Sequence, residues 1–346
     1  MKRIYNNLMN LFKRSRVNFN VNTRIKQSLN SIPSETSELE RVFLYNFMRT
    51  FWDGKSNVVE FGPFLGGTTR ALIIGMLDNP RRLETIKLKT IDAFKDYYSA
   101  EEILRMFGSD VRNLQKARTL LESKENLDAQ FIDIFRLIHQ NSEYYKYLEI
   151  CTFKLPDYSQ EALRLQDVFE PNTGVFFVDA CKSWYSTKWF ISESSKTAIS
   201  GAYYLFQDYG HYTCFWIPFI LYLMNQKYIP VCSVDTTQVF VLNDSITSDD
   251  LKCLEDTPDG YSKDSVISVF NNLIQEARLI ANHDGVFILE VQKAAMLAYI
   301  GEKELAKAHL KSLKKTFLTK RQRRILSSAS ISPTYTPAGK ILLDSK

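Results

Sequence analysis

The segment Val58-Val59-Glu60-Phe61-Gly62-Pro63-Phe64-Leu65-Gly66-Gly67-Thr68-Thr69 places an acidic residue at the end of an apolar stretch, then Gly-x-x-x-Gly, then a helical pattern opened by threonine. Glycines at 62 and 66 let the backbone turn tightly and approach a ligand with no Cβ in the way. The pattern Glu60-x-Gly62-x-x-x-Gly66 departs from the dinucleotide fingerprint Gly-x-Gly-x-x-Gly, whose second glycine admits a pyrophosphate, because that position is Phe64. A bulky aromatic there suits a nucleoside-type cofactor without a pyrophosphate. Glu60, Gly62, Phe64, Gly66 and Thr68 are the candidate contacts; a strand-to-helix turn of purely structural purpose is the alternative. Asp92, closing Thr90-Ile91-Asp92, can accept hydrogen bonds from both hydroxyls of a ribose, or cap a turn. Leu155-Pro156-Asp157-Tyr158-Ser159-Gln160 opens a helix with donors and acceptors suited to the edge of an adenine, which adds Asp157, Ser159 and Gln160.

Elements that would position these groups follow from periodicity. Leu39, Val42, Phe43, Phe47 and Phe51 fall at helical spacing behind a Ser37/Glu40 capping-box pattern, which predicts a helix leading into a strand. Short apolar strand candidates recur at 57–61, 89–93, 147–152, 174–179, 202–207, 228–234 and 238–242, mostly separated by helical patterns. Such alternation predicts an α/β fold, a doubly wound and mainly parallel sheet with helices on both faces. The last two candidates, divided only by Asp235-Thr236-Thr237, read as a hairpin that puts an antiparallel strand at or near the sheet edge. A helical insertion at 95–143 follows the second strand, where it either covers a substrate pocket or packs as decoration. The division expected is a basic N-terminal segment 1–36, an α/β domain 37–250, and a C-terminal helical subdomain with tail 251–346. That subdomain either caps the core or recruits a partner, and capping is preferred.

Composition bounds the setting. A chain of 346 residues with 45% hydrophobic content supports a well-buried core. The longest apolar run, 214–224, is too short for a bilayer, and no secretory pattern opens the chain, so a cytoplasmic location is expected. Cys151, Cys181, Cys214, Cys232 and Cys253 form no CxxC pair, which points to reduced thiols rather than disulfides or a thiolate zinc site. The net charge of +5 is small, with basic residues gathered at the two ends. Without basic-aromatic interleaving these read as solvated helix faces, and nucleic-acid binding is not expected. A homo-oligomer, or a protein partner through the C-terminal helices, stays open.

Together, Glu60 to Thr68, Asp92 and Ser159-Gln160 resemble the class I S-adenosylmethionine-dependent methyltransferases, and among these the small-molecule O-methyltransferases related to catechol O-methyltransferase. That family's glycine loop reads Glu-x-Gly-x-x-x-Gly-x-Ser, with Thr68 here in the serine place. The resemblance covers residues 37–242 without the 95–143 insertion. It implies a Rossmann-like seven-stranded sheet, S-adenosylmethionine as cofactor, and methyl transfer to a hydroxyl of a small acceptor such as a sugar or phenol. It further implies that Asp179 and Asp208 hold magnesium (Mg2+), and that Lys182, in Asp179-Ala180-Cys181-Lys182, is the general base.

The chain departs from the family at Tyr209, where an Asn or Asp supplies a third metal ligand; a neutral phenol is a poor one. Lysine serves as a base only if its pKa is lowered, and Asp179 opposes that unless a cation neutralises it. Without metal, Lys182 becomes a salt-bridge partner of Asp179 or Asp208, and one of those carboxylates is the better base. His211, on the same loop as Asp208, is a further base candidate by its ordinary pKa. Competing readings are an NAD- or nucleotide-sugar-dependent enzyme of related fold, and a catalytically silent scaffold.

Overall fold

The computed structural model describes residues 21–95, 98–107, 115–123, 127–156, 168–280, 282–316, 318–336 and 338–343. Seven strands form one sheet: β1 (Asn57–Phe61), β2 (Leu88–Asp92), β3 (Leu148–Thr152), β4 (Thr173–Val178), β5 (Ala198–Phe206), β6 (Tyr228–Val234) and β7 (Thr237–Leu242). Their order is β3-β2-β1-β4-β5-β7-β6, with β1 to β5 mutually parallel and β7 antiparallel to both β5 and β6. All seven strand candidates are present, and the hairpin does close one edge. In this order the chain runs outward from β1 in both directions, so β1 and β4 flank a switch point, the general place for ligands in open sheets of this kind.

Side chains alternate across the sheet as its pleat requires. Val58, Val175, Phe177 and Leu205 face α2 (Glu38–Thr50) and α3 (Gly67–Leu77). Val59, Phe176, Val178 and Tyr204 face the other way, toward α7 (Trp184–Ser194) and α8 (Trp216–Leu223). Helix α2 starts with the capping box expected: Ser37 Oγ accepts from Glu40 N at 3.2 Å, and Glu40 Oε2 accepts from Ser37 N at 2.9 Å. Before it, α1 (Thr23–Leu29) sends Leu29 into the same core, so part of the stretch read as a basic N-terminal segment belongs to the fold.

The insertion after β2 is helical, with α4 (Ala100–Phe107), α5 (Gln115–Glu122) and α6 (Leu127–His139). Its apolar residues Ile103, Phe131 and Phe135 share one cluster with Leu65 of the glycine loop and Phe94. At the C-terminus lie α9 (Lys263–Leu279), α10 (His283–Tyr299), α11 (Lys303–Leu313) and α12 (Lys320–Ile331), then a hairpin of β8 (Thr334–Thr336) and β9 (Gly339–Ile341). These helices bury Phe270, Val291 and Leu310 in the same cluster as Val59 and Phe61 of β1, which is the capping arrangement preferred above. The small hairpin had no periodic signal, since three-residue strands are too short to carry one. Among the described residues, no helix is long and apolar enough to cross a membrane.

Candidate active site

The glycine loop is shaped from beneath. Glu60, fully buried, accepts from the hydroxyls of Thr68 at 2.6 Å, Thr69 at 2.6 Å and Thr90 at 2.9 Å. Through these three hydroxyls Glu60 sets the form of the loop from beneath. Burial pushes the Glu60 carboxyl up to about 7 against the pull of those three hydroxyls. Its folded value lies above the ordinary 4.5, so folding takes up a proton there. That contribution to stability is complete below the ordinary value and is lost as pH rises through about 7. It amounts to roughly 3 kcal/mol. A Glu60→Gln variant should lose this part of the slope of unfolding free energy between acid and neutral pH; denaturant titrations with a slope equal to the parent's would contradict it.

Glycine is required at two points. Gly62 has φ +79°, and a Cβ there would lie 2.3 Å from the Asp179 carbonyl oxygen. Gly66 has φ +92°, and a Cβ there would lie 2.0 Å from Nε2 of His139, at the end of α6. His139 is fully buried; its Nε2–H donates to the Leu65 carbonyl at 3.1 Å, which leaves Nδ1 to accept from the Tyr144 hydroxyl at 2.8 Å. Burial lowers this imidazole to about 4, so it stays neutral. Phe64 itself adopts φ +51°, a conformation few non-glycine residues take, and its ring meets Tyr98 at 5.7 Å and Phe131 at 5.9 Å. It points into the insertion. The insertion packs directly against Phe64 and Leu65 of the loop.

Next to this loop, Asp92 Oδ1 accepts from Phe94 N at 2.8 Å while the residue keeps partial exposure. Burial raises its carboxyl to about 6, against backbone donors from Phe94, Phe64 and Ala93. Asp157, Ser159 and Gln160 lie outside the described residues.

Beyond β4 comes the charged centre. Asp179 N donates to Phe61 O at 2.9 Å, which ties the end of β4 to the end of β1. Lys182 Nζ donates to Asp179 Oδ1 at 2.8 Å and, more closely, to Asp208 Oδ2. Gln207, with its amide nitrogen turned to the carboxylates, reaches Asp179 Oδ1 at 3.1 Å and Asp208 Oδ1 at 2.8 Å, and its oxygen faces the Thr236 hydroxyl. Glu40 Oε1 accepts from Thr236 and Thr237 at 2.9 and 2.8 Å, so the capping residue of α2 also steadies this corner. Burial first of all raises Asp179, Lys182 opposes it and Asp208 adds to it, and the carboxyl is pushed up to about 7. For Asp208 burial also acts upward, but Lys182 and then His211 outweigh it and hold the group below its ordinary value. Lys182 is raised well above its ordinary value because the two aspartates outweigh burial.

Lys182 bridges two carboxylates and is held charged, which is the salt-bridge role set out above for a site without metal. Tyr209 turns into the core, with its ring 5.7 Å from Phe240, and offers no metal ligand. The Asp179–Asp208 pair does not fit magnesium, because an ammonium and an amide already face the oxygens that would coordinate it. Asp208, His211 and Cys214 do bring ligand atoms within 4.8 Å of one another. Lys182 on Asp208, and burial that raises the Cys214 thiol, make that set equally unsuited to a cation. His211 lies beside the pair; its Nδ1 is 2.8 Å from the Thr213 hydroxyl, and burial lowers its pKa against Asp208. Across from it Glu35, which accepts from the Tyr98 hydroxyl, is close enough to raise Asp179. The tryptophans around the site serve packing: Trp184 Nε1 donates to Glu255 O at 3.0 Å and Trp216 Nε1 to Cys181 O at 2.8 Å.

Residues the sequence reading passed over are His139, Glu40, Thr236, Glu35 and Gln292. Gln292 left one trace: a polar residue on the apolar face of Val291-Gln292-Lys293-Ala294-Ala295-Met296.

No family model matches the chain, and no curated protein is detectably related to it. Among solved structures it is similar to the O-methyltransferase NovP, with 12% identity, 61% of this chain and 83% of that one covered, and a TM-score of 0.40. An O-methyltransferase from Bacillus cereus in complex with SAH shares 11% identity over 69% of this chain and 99% of that one, with a TM-score of 0.36. A cyclopropane-fatty-acyl-phospholipid synthase-like protein from Lactobacillus casei ATCC 334 shares 10% over 90% and 94%, with a TM-score of 0.27. Likenesses this distant assign neither fold nor activity; the strand order and the site geometry stand by themselves.

Proposed function

We propose that the protein transfers a methyl group from S-adenosylmethionine to a hydroxyl of a small polar acceptor, without a divalent metal. The observation that carries this reading is the meeting of Gly62 and Asp179 at the switch point: the glycine loop that would hold the donor abuts the strand end that carries an acid–base group. The motif resemblance in Glu60 to Thr68 and Asp92 supplies the donor's identity. Asp92 is partly exposed at the end of β2, and on this reading its carboxylate accepts from the ribose hydroxyls.

In the reaction the acceptor oxygen attacks the sulfonium methyl carbon in line. The new C–O bond forms as the C–S bond breaks, the electron pair stays on sulfur as a thioether, and the hydroxyl proton passes to Asp179. Positioning supplies most of the acceleration, and a base with a pKa near neutrality is matched to the proton transfer. Lys182 keeps the two aspartates apart in charge and fixes their orientation; His211 is the alternative base.

Calorimetry tests the cofactor: S-adenosylmethionine is expected to bind and NAD not to, with Asp92→Ala weakening the former by about tenfold or more. Release of S-adenosylhomocysteine over a panel of sugar and phenolic acceptors is expected to be unchanged by EDTA. No binding heat from S-adenosylmethionine would sink the reading, and turnover lost to EDTA and restored by magnesium would sink its metal-free form.

A further inference from the structure

Helix α10 and strand β8 lie far along the chain from the glycine loop, yet they hold the turn that carries Asp208 and His211. Gln292, fully buried in the middle of α10, donates from Nε2 to the carbonyl oxygens of Tyr209 at 2.9 Å and His211 at 2.8 Å. Those two carbonyls lie at the C-terminal end of the turn Gln207–Gly210, one inside it and one just beyond it. Two residues further on, the Thr213 carbonyl accepts from the hydroxyl of Thr334, itself fully buried in β8, at 2.9 Å. The Lys182 side is held by the same segment. Trp216 Nε1 donates to Cys181 O at 2.8 Å, and the Tyr335 ring packs edge-on against Trp216 at 5.6 Å.

The glutamine is a costly choice for that place. Its Oε1 is buried with no hydrogen-bond partner, and an unpaired buried acceptor costs about 1–3 kcal/mol. Methionine would fill the same volume without that cost, so what the glutamine contributes is its pair of N–H donors. Both are spent on the turn beside Asp208.

We infer that Gln292 and Thr334 are positioning residues for the Asp208–His211 turn, which makes the C-terminal segment part of the catalytic apparatus as well as a cover for the core. The inference rests on the proposed methyl transfer for its kinetic consequence, but not for its structural one. A turn released from these three carbonyl anchors shifts Asp208, and with it the Lys182 bridge and the charge next to Asp179; displacements of about an ångström at such a centre cost on the order of a hundredfold in rate. The glycine loop leaves the end of β1, two strands from the end of β5 that carries this turn.

The full-length chain carrying Gln292→Met is compared with the parent by calorimetry with S-adenosylmethionine, by kcat on the best acceptor of the panel, and by NMR titration of the His211 imidazole. Cofactor affinity is expected to stay within about twofold, kcat to fall roughly 10- to 100-fold, and the His211 midpoint to move. Thr334→Val is expected to act in the same direction, and Thr334→Ser to restore the rate that valine loses. If Gln292→Met does not fold, the Thr334 pair decides the matter by the same three readouts. An unchanged kcat with an unmoved His211 titration overturns the inference, as does a loss of cofactor affinity equal to the loss of rate. A parent protein that neither binds S-adenosylmethionine nor turns over would defeat the proposed reaction alone; the His211 titration would still report whether the turn depends on its anchors.

Discussion

Replacing Asp179 by asparagine is expected to lower kcat by about 10²- to 10⁴-fold, the usual cost of removing a general base, with little change in cofactor affinity. Asparagine keeps the volume and the contact with Lys182 but cannot take a proton. Below neutrality the parent is also expected to slow, because the Asp179 carboxyl, pushed up to about 7, is then protonated. The parent's kcat should therefore rise with pH through about 7, and the Asp179→Asn profile should lack that limb. Asp179 and Asp208 share Lys182, so the limb belongs to the pair, with Asp208 the member held below its ordinary value. Rates measured from about two pH units below neutrality to about two above decide the point. A variant that keeps the rise would pass the role of base to His211, and one that keeps the full rate would remove Asp179 from the chemistry.

Gly66→Ala is expected to be the most damaging single substitution in the cofactor loop. A positive φ costs alanine about 1–2 kcal/mol. The added methyl would also sit 2.0 Å from His139 Nε2. His139 cannot swing aside, since it is fully buried and both ring nitrogens are bonded. Together these should lower stability by about 3 kcal/mol or more, and cofactor affinity should fall with it. Truncating the opposing ring tests the cause. In the double variant Gly66→Ala/His139→Ala the losses should be well short of additive, with a coupling of about 1–3 kcal/mol in urea unfolding. Strict additivity would show that the backbone angle alone, and not the helix of the insertion, makes alanine intolerable.

How far the sequence carried these conclusions differs by element. The strands were legible because they are short segments bounded by turn residues, and the parallel sense of most of them follows from the helices between them; their order in the sheet does not. The capping box at Ser37 was readable because its two bonds are local. The task of Phe64 was not, since residue type says nothing of a φ of +51° or of a ring aimed at Tyr98 and Phe131. Asp179-x-x-Lys182 looks the same whether the lysine is a base or a bridge. What decides is Asp208, brought to Lys182 by the pairing of β4 with β5. Gln292 escaped for the same reason at longer range: its partners lie about eighty residues back in the chain.

The close packing of Gly62 on the Asp179 backbone bears on how such a protein can change. The glycine loop and Asp179, proposed to hold donor and base, hang from two adjacent strands, and the gap between strands is set at about 4.8 Å by their hydrogen bonds. No loop can stretch that spacing, and no side chain at position 62 can wedge it open. The insertion at 95–143 is held to the loop through His139 and Phe131 but not by strand hydrogen bonds. Under the proposed reaction, acceptor selectivity would drift with such outer elements, while the separation of glycine loop and Asp179 is set by the sheet.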